Sequence, residues 1–332
     1  MNYGGVSLKR KNVLLFSDFG IDDFVAVIFA FFSEDINIVG IVADYGNVSR
    51  EDAVRNAAYL SELTGEDPPI FSGAVLPLTG DVPVFYPDVH GVEGLGPIIP
   101  ALENSNDMFE NFDEFKKLIE KFENDILIVN VGRLSSLAAA FILYPSLMNK
   151  VSDFYIMGGA FNAPGNVTPV AEANFYGDPY AANVVFANAP KKIHVFPLDV
   201  TMSAIVTPAL IDTLDAYYQK VQNKVGLILK PMVDYYYNFY KQAYPGISGS
   251  PLHDLVTLWA LLDGADVQYQ DVPVKIITAK GEAFGQSIGD FRNFLSEDKM
   301  KYPIHRIAVQ FNYSNFIRTF YEIMTNHKTA PS

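Results

Sequence analysis

Cysteine is absent from the 332-residue chain. That excludes disulfides, thiolate zinc sites and cysteine nucleophiles. Basic residues are scarce: 24 Lys and Arg stand against 38 Asp and Glu, for a net charge of −14. Nucleic acid calls for a basic surface, so it is not an expected partner. No apolar run reaches membrane length. The longest, Phe24–Phe32, is about half of what a bilayer crossing needs. The opening stretch, MNYGGVSLKRKNVLLF, has basic residues followed by only the apolar Val13–Phe16. A secretory signal carries a longer apolar core. Internal repeats, low-complexity tracts and Pro/Gly-rich linkers are missing as well. Together these absences predict a soluble, cytoplasmic protein without a membrane partner.

What is present is apolar residue, 49% of the chain. That is enough for one large α/β domain or two smaller ones. Strand-like segments are Val13–Phe16, Ile36–Ala43, Pro69–Ser72, Asp125–Val131, Phe154–Met157 and Lys192–Leu198. Helix-like segments alternate with them: Phe24–Phe32, Arg50–Leu63, Phe112–Phe122, Leu134–Leu143 and Pro179–Ala189. Beyond these, Val206–Tyr244 reads as helical and rich in aromatics. Strands Val274–Thr278 and Ile307–Phe311 and a last helix, Asn315–Thr325, close the chain. The alternation predicts one α/β domain over residues 1–332, with a mostly parallel central sheet and helices on both faces. Residues 1–11 and 328–332 read as frayed ends. Ligands of such sheets gather at the carboxyl ends of strands, where Asp18, Asn47 and Val131 all fall.

The stretch that organises the chain is VLLFSDFGIDDF, Val13–Phe24. Three acids, Asp18, Asp22 and Asp23, sit at its strand-to-helix turn. Asp22 and Asp23 suit the positive end of the helix dipole. Three carboxylates this close also repel, and a hard cation with oxygen ligands relieves the repulsion. From these residues alone, helix capping and metal binding stand level. Elsewhere, His90 lies in a Gly-rich stretch, DVHGVEGLGP, which alone reads as a plain loop. Asn166, Glu172 and Asn174 follow a strand and a glycine pair; their side chains suit a cis-diol, or turn chemistry. His253 and Asp254 open another apolar run, Leu252–Leu262.

SDFGIDD resembles the amino-terminal DxDxxxDD signature of the nucleoside hydrolases. Asp18, Asp22 and Asp23 fill its last three acidic positions, and Phe16 stands at the first. The same Phe16 argues against a haloacid-dehalogenase-type phosphatase, whose nucleophile is that first Asp. Three more stretches are similar to the family in the same order. HGVEGLG matches its HGxxGLG lid. MGG, Gly165-Asn166, Glu172-Ala173-Asn174 and Asp178-Pro179 match its MGG…GN…AExN…DP pattern. His253-Asp254 matches its HD. Val131-Gly132 falls at its GPLTN turn, with Arg133, Ser135 and Ser136 replacing family residues.

The resemblance implies a nucleoside hydrolase-like fold with a Rossmann-like core. It implies Ca²⁺ held by Asp18, Asp23, Asp254 and the Val131 carbonyl. Asp18 is then the general base. Asp22, Asn47, Met157, Asn166, Glu172 and Asn174 contact the ribose, and His90, Tyr240 and His253 the base, with His253 protonating it. The implied activity is hydrolysis of ribonucleosides to base and ribose, of the inosine–uridine-preferring type, in nucleoside salvage. A homo-oligomer, dimer or tetramer, is expected. Phe16 keeps two alternatives in view: a nucleoside-binding protein with little turnover, and a hydrolase of another N-riboside. Ala173 stands where some relatives have an aromatic near the base.

Overall fold

Strand β1 (Lys11–Ser17) has apolar side chains on both faces and is buried on both. Such a strand belongs in the middle of a parallel sheet covered on two sides. The computed structural model describes residues 10–100, 111–292 and 301–326, and β1 lies mid-sheet. It pairs in parallel with β2 (Ile36–Ala43) on one side and β4 (Ile126–Asn130) on the other. Beyond β2 lies β3 (Ile70–Ser72); beyond β4 lie β5 (Asp153–Met157) and β6 (Ile193–Phe196). Three further strands are β7 (Val267–Ile276), β8 (Ser287–Gly289) and β9 (Ile304–Phe311). The full order is β8-β7-β9-β6-β5-β4-β1-β2-β3. Strand β9 runs parallel to β6, while β7 and β8 close the sheet antiparallel. The chain winds outward in opposite directions from the gap between β1 and β4. That gap is the topological switch point, where open α/β sheets bind ligands.

Alternation of side chains along the strands splits the core in two. Val13 and Leu15 join one apolar cluster, Leu14 and Phe16 the other. The first is covered by α1 (Ile21–Phe32), which is buried from Ile21 to Ala30. A helix apolar on nearly all sides must be enclosed. Here α8 (His253–Trp259) and α9 (Tyr313–Asn326) share that cluster with it. On the other face lie α4 (Ser135–Leu143) and α5 (Pro179–Asn188). Helices α2 (Arg50–Thr64), α3 (Phe115–Lys121), α6 (Pro208–Val221) and α7 (Leu229–Ala243) complete the layers.

The structure revises several sequence expectations. Arg10 and Lys11 are not frayed: Lys11 starts β1, and the Arg10 guanidinium donates to the Ile36 carbonyl. The other residues expected to fray lie outside the described residues. Within Val206–Tyr244 the helical reading resolves into three successive helices. Gln222, at φ +56°, caps α6, and a one-turn helix (Lys224–Leu227) separates it from α7. Residues 192–198 form a shorter strand, because Pro197 and Leu198 turn into a one-turn helix (Leu198–Thr201). Strand β8 was not expected at all. Among the described residues, no helix is long and apolar enough to cross a membrane.

Candidate active site

Packing fixes where the acids meet. The first turns of α1 and α8 converge, bringing Asp22, Asp23 and Asp254 to within 4.8 Å of one another. Asp18 follows β1 directly. Gly46 and Gly132 flank it; a Cβ on Gly46 would collide with its carboxylate. Its Oδ2 accepts the Asn47 N–H. Its Oδ1 is buried with no hydrogen-bond partner among the described residues, and so is Asp22 Oδ1. Asp23 is the best supported of the four. Its Oδ1 accepts from Ser17 Oγ at 2.7 Å and its Oδ2 from Gly20 N at 3.0 Å. Between Asp18 and Gly20, Phe19 is held at φ +48°, a strained conformation for an aromatic residue.

Burial, then the Asp18 charge, pushes the Asp22 carboxyl up to about 7. The same causes raise Asp23 well above the usual carboxylate range. Asp254 is raised as well, by burial and then by Asp22. Buried like charges favour the neutral form unless a cation compensates them. The triplet that the structure draws tightest contains Asp22 in place of Asp18, so the ligand set expected from the sequence has a fourth carboxylate beside it. All four offer oxygen to a hard cation. The Val131 carbonyl, at the end of β4, accepts from Asn174 Nδ2 at 2.8 Å and keeps a second lone pair.

Above the acids opens a cavity of about 490 Å³. Every site residue expected from the sequence lines it except Asp18 and Asp23, which are fully buried beneath. Glu172 caps a short helix (Ala173–Gly177), accepting from the N–H groups of Gly159, Asn174 and Phe175. Asn166 Oδ1 accepts from Ala173 N at 2.9 Å. The turn chemistry and the lining position therefore coexist in these residues. His90 is not on an exposed loop. It is 4% exposed, accepts from Ile21 N at 3.0 Å and lies 5.4 Å from the Tyr236 ring. His253 is bonded through Nδ1 to Thr201 Oγ1 and through Nε2 to the Tyr240 hydroxyl, both at 2.8 Å. Burial lowers His253 to about 4 and His90 to about 3. Both imidazoles are thus neutral at pH 7.

A model of the family described as inosine-uridine preferring nucleoside hydrolase matches residues 13–318. The chain belongs to that family. A curated relative, uridine nucleosidase 1 of Arabidopsis thaliana, is 32% identical over 294 residues, 86% of this chain and 84% of that protein. The pyrimidine-specific ribonucleoside hydrolase RihB of Escherichia coli is 26% identical over 85% of this chain and 88% of its own. A solved plant nucleoside hydrolase superposes with a TM-score of 0.86 at 30% identity, covering 95% of this chain and 99% of that one. A purine-preferring ribonucleoside hydrolase from Gardnerella vaginalis gives 0.84 at 26% identity, covering 95% and 98%. This nucleoside hydrolase is therefore an enzyme acting on small nucleosides, with a buried acidic cluster suited to a metal.

Within this nucleoside hydrolase, Phe16 is clear of the site. It is fully buried on the α4 face, edge-on to Phe115 at 6.5 Å. Three site features were passed over in the sequence. Tyr236 lines the cavity, meets the Tyr240 hydroxyl at 3.4 Å and faces His90. Its signal was the four-residue helical spacing to Tyr240. Thr201, behind His253, had none. Arg133, which replaces a family residue at the turn after β4, donates to Asn174 Oδ1 at 2.6 Å.

Proposed function

We propose that this chain hydrolyses the N-glycosidic bond of ribonucleosides, uridine and inosine foremost, with Ca²⁺ held at the acidic floor of the cavity. The observation that carries the reading is four buried carboxylates beneath a cavity of nucleoside size. Asp18, Asp23, Asp254 and the Val131 carbonyl would hold the cation, with Asp22 adjoining. The unpartnered Oδ1 atoms of Asp18 and Asp22 support this, since a bare buried carboxylate oxygen is costly without positive charge. When bound, such a cation lowers the pKa of a water it holds, so that a neighbouring base removes its proton more readily.

Asp18 serves as the base that takes the proton of the attacking water. Asp22, Asn47, Met157, Asn166, Glu172 and Asn174 surround the ribose, and the carboxylates among them favour its oxocarbenium-like transition state. At the other end His90, Tyr240 and His253 meet the base. A neutral His253 stores no extra proton at pH 7. It orients a donor instead: with Thr201 Oγ1–H donating to Nδ1 and Nε2–H donating to the Tyr240 oxygen, the Tyr240 hydroxyl is free to hydrogen-bond the leaving nitrogen, whose net proton comes from solvent. The uridine and pyrimidine relatives support uridine as a substrate, and the family description adds inosine. Cytoplasmic nucleoside salvage and assembly as a dimer or tetramer belong to the same proposal; light scattering tests the assembly.

The direct test incubates purified protein with a panel of nucleosides and detects reducing sugar. Free ribose from uridine and inosine is expected with Ca²⁺, falling away in EDTA and returning with added Ca²⁺. Absence of ribose from every nucleoside in saturating Ca²⁺ would overturn the reading.

A further inference from the structure

Beside the nucleoside cavity lies a second one of about 740 Å³, and Tyr86 is the one described residue that lines both. Its wall includes Arg133, which is only 2% exposed. The Arg133 Nη1 donates to Asn174 Oδ1 at 2.6 Å. Among the described residues no carboxylate forms an ion pair with this guanidinium. The acids nearest in the fold are already occupied. Glu172 accepts three backbone N–H groups. Asp178 accepts from Ser135, Leu78 and Ala181. Gly177 leaves the room that the guanidinium occupies, because a Cβ there would strike Nε and Cδ.

A buried arginine with a single polar partner is an expensive thing to fold around. Its planar fork of donors matches a carboxylate, and desolvation strengthens that match. The rest of the wall says what carries the carboxylate. Tyr45, Tyr86, Tyr176 and Phe284 line the cavity with flat apolar faces. At the rim, Lys280 is paired with Asp81 at 3.0 Å, and both side chains are more than half exposed. Glu282 also lines the cavity and is exposed, so water screens it as it does that pair, and Arg133 is the buried charge of the interior.

We propose that this second cavity binds a small aromatic carboxylate, with its anion on Arg133 and its ring between the tyrosines. Occupancy would pull on the Arg133–Asn174 hydrogen bond and so reach the nucleoside cavity. That coupling rests on the ribose role given to Asn174 above, whereas the binding itself does not.

Calorimetric titration of the wild-type protein with benzoate tests the site, with acetate as the ringless comparison. Benzoate should bind, and acetate should bind more weakly. Arg133→Gln should weaken benzoate at least about tenfold, as loss of a hydrogen bond to a charged group implies. Val84→Glu is the second variant. Val84 lines the cavity at 67% exposure, so a carboxylate there repels the ligand without disturbing the core. It should weaken benzoate severalfold, and it decides the matter if Arg133→Gln does not fold. No benzoate binding by the wild type, or equal affinity in the folded variants, would overturn the proposal. Equal affinity for acetate and benzoate would overturn the aromatic part. For the coupling, benzoate should shift the KM for uridine in the wild type and leave it unmoved in Arg133→Gln. Benzoate binding in a protein that releases no ribose would discard the catalytic reading and leave this site intact.

Discussion

Phe16, on β1, sits two residues before Asp18, yet its side chain turns away from the acids. In the motif it looks like a lost carboxylate. In the fold it faces apolar residues of the sheet's other layer, fully buried against Phe115. Restoring the acid should therefore harm the protein. Phe16→Asp is expected to cost at least about 3 kcal/mol, from a lost aromatic and a buried unpaired charge. It should add nothing to turnover; a urea melt with unchanged midpoint would contradict this. Asp254 is the opposite case. It is buried among acids that raise its own carboxyl, so it destabilises the metal-free protein. Asp254→Ala should cut Ca²⁺ affinity by more than the roughly 10–100-fold typical of a mere supporting residue. In EDTA the same variant should melt at a higher temperature than the wild type. Calorimetry and a thermal scan check the two halves, and unchanged Ca²⁺ affinity would remove Asp254 from the site. Acid motifs of this kind are legible because their chemistry is local. Arg133 and Thr201 were not, since their roles come from partners 41 and 52 residues away.

At the scale of elements, the parallel strands were legible because each is a short apolar run bounded by turn residues. The antiparallel edge was harder. Strand β7 begins at Val267, seven residues before the apolar segment that marks it, because its first half alternates with exposed polar side chains. One side chain reinforces the backbone pairing that joins that edge to the parallel sheet. His305, on β9, accepts from Ile193 N on β6 through Nδ1 at 3.1 Å, and its Nε2 bonds the Phe186 carbonyl at the end of α5. This network needs the neutral ring with hydrogen on Nε2. Burial lowers His305 to about 4, against an ordinary value of 6.5. The folded group thus holds its proton less tightly than the unfolded one. Its stability is fully present above pH 6.5 and is lost as pH falls toward 4. The loss amounts to something on the order of 3 kcal/mol. His305→Leu should be less stable than wild type by about 2 kcal/mol at pH 7, having orphaned two backbone groups. The gap should close as the pH approaches 4. A gap that stays constant across chemical denaturation at pH 7, 5.5 and 4.5 would contradict the assignment.

Over the whole molecule, the switch point between β1 and β4 collects what the sequence scatters. Residues from Asp18 to Asp254 meet there because strand ends and helix starts converge on one side of the sheet. Order along the chain made the set recognisable. The exchange of Asp22 into the tight acidic triplet was not readable, since it depends on the angle at which α1 meets α8. Gathering four buried carboxylates leaves the metal-free fold under electrostatic strain, so cation binding and global stability should be linked. A ligand that binds only the folded state stabilises it by about 2.7 kcal/mol at a hundred times its Kd. At about 2.1 cal/mol/K of unfolding entropy per residue, a chain of 332 residues should then melt roughly 4 °C higher. Saturating Ca²⁺ is expected to raise Tm by that amount over EDTA. Mg²⁺ should do less, because it gives up its water reluctantly and demands a stricter geometry. In Asp254→Ala the Ca²⁺ shift should all but vanish while the EDTA baseline rises. Those two changes move in opposite directions, so a general loss of structure cannot imitate them. Identical melting curves in EDTA and saturating Ca²⁺, in a preparation that still releases ribose, would show that turnover does not rest on a cation at this cluster.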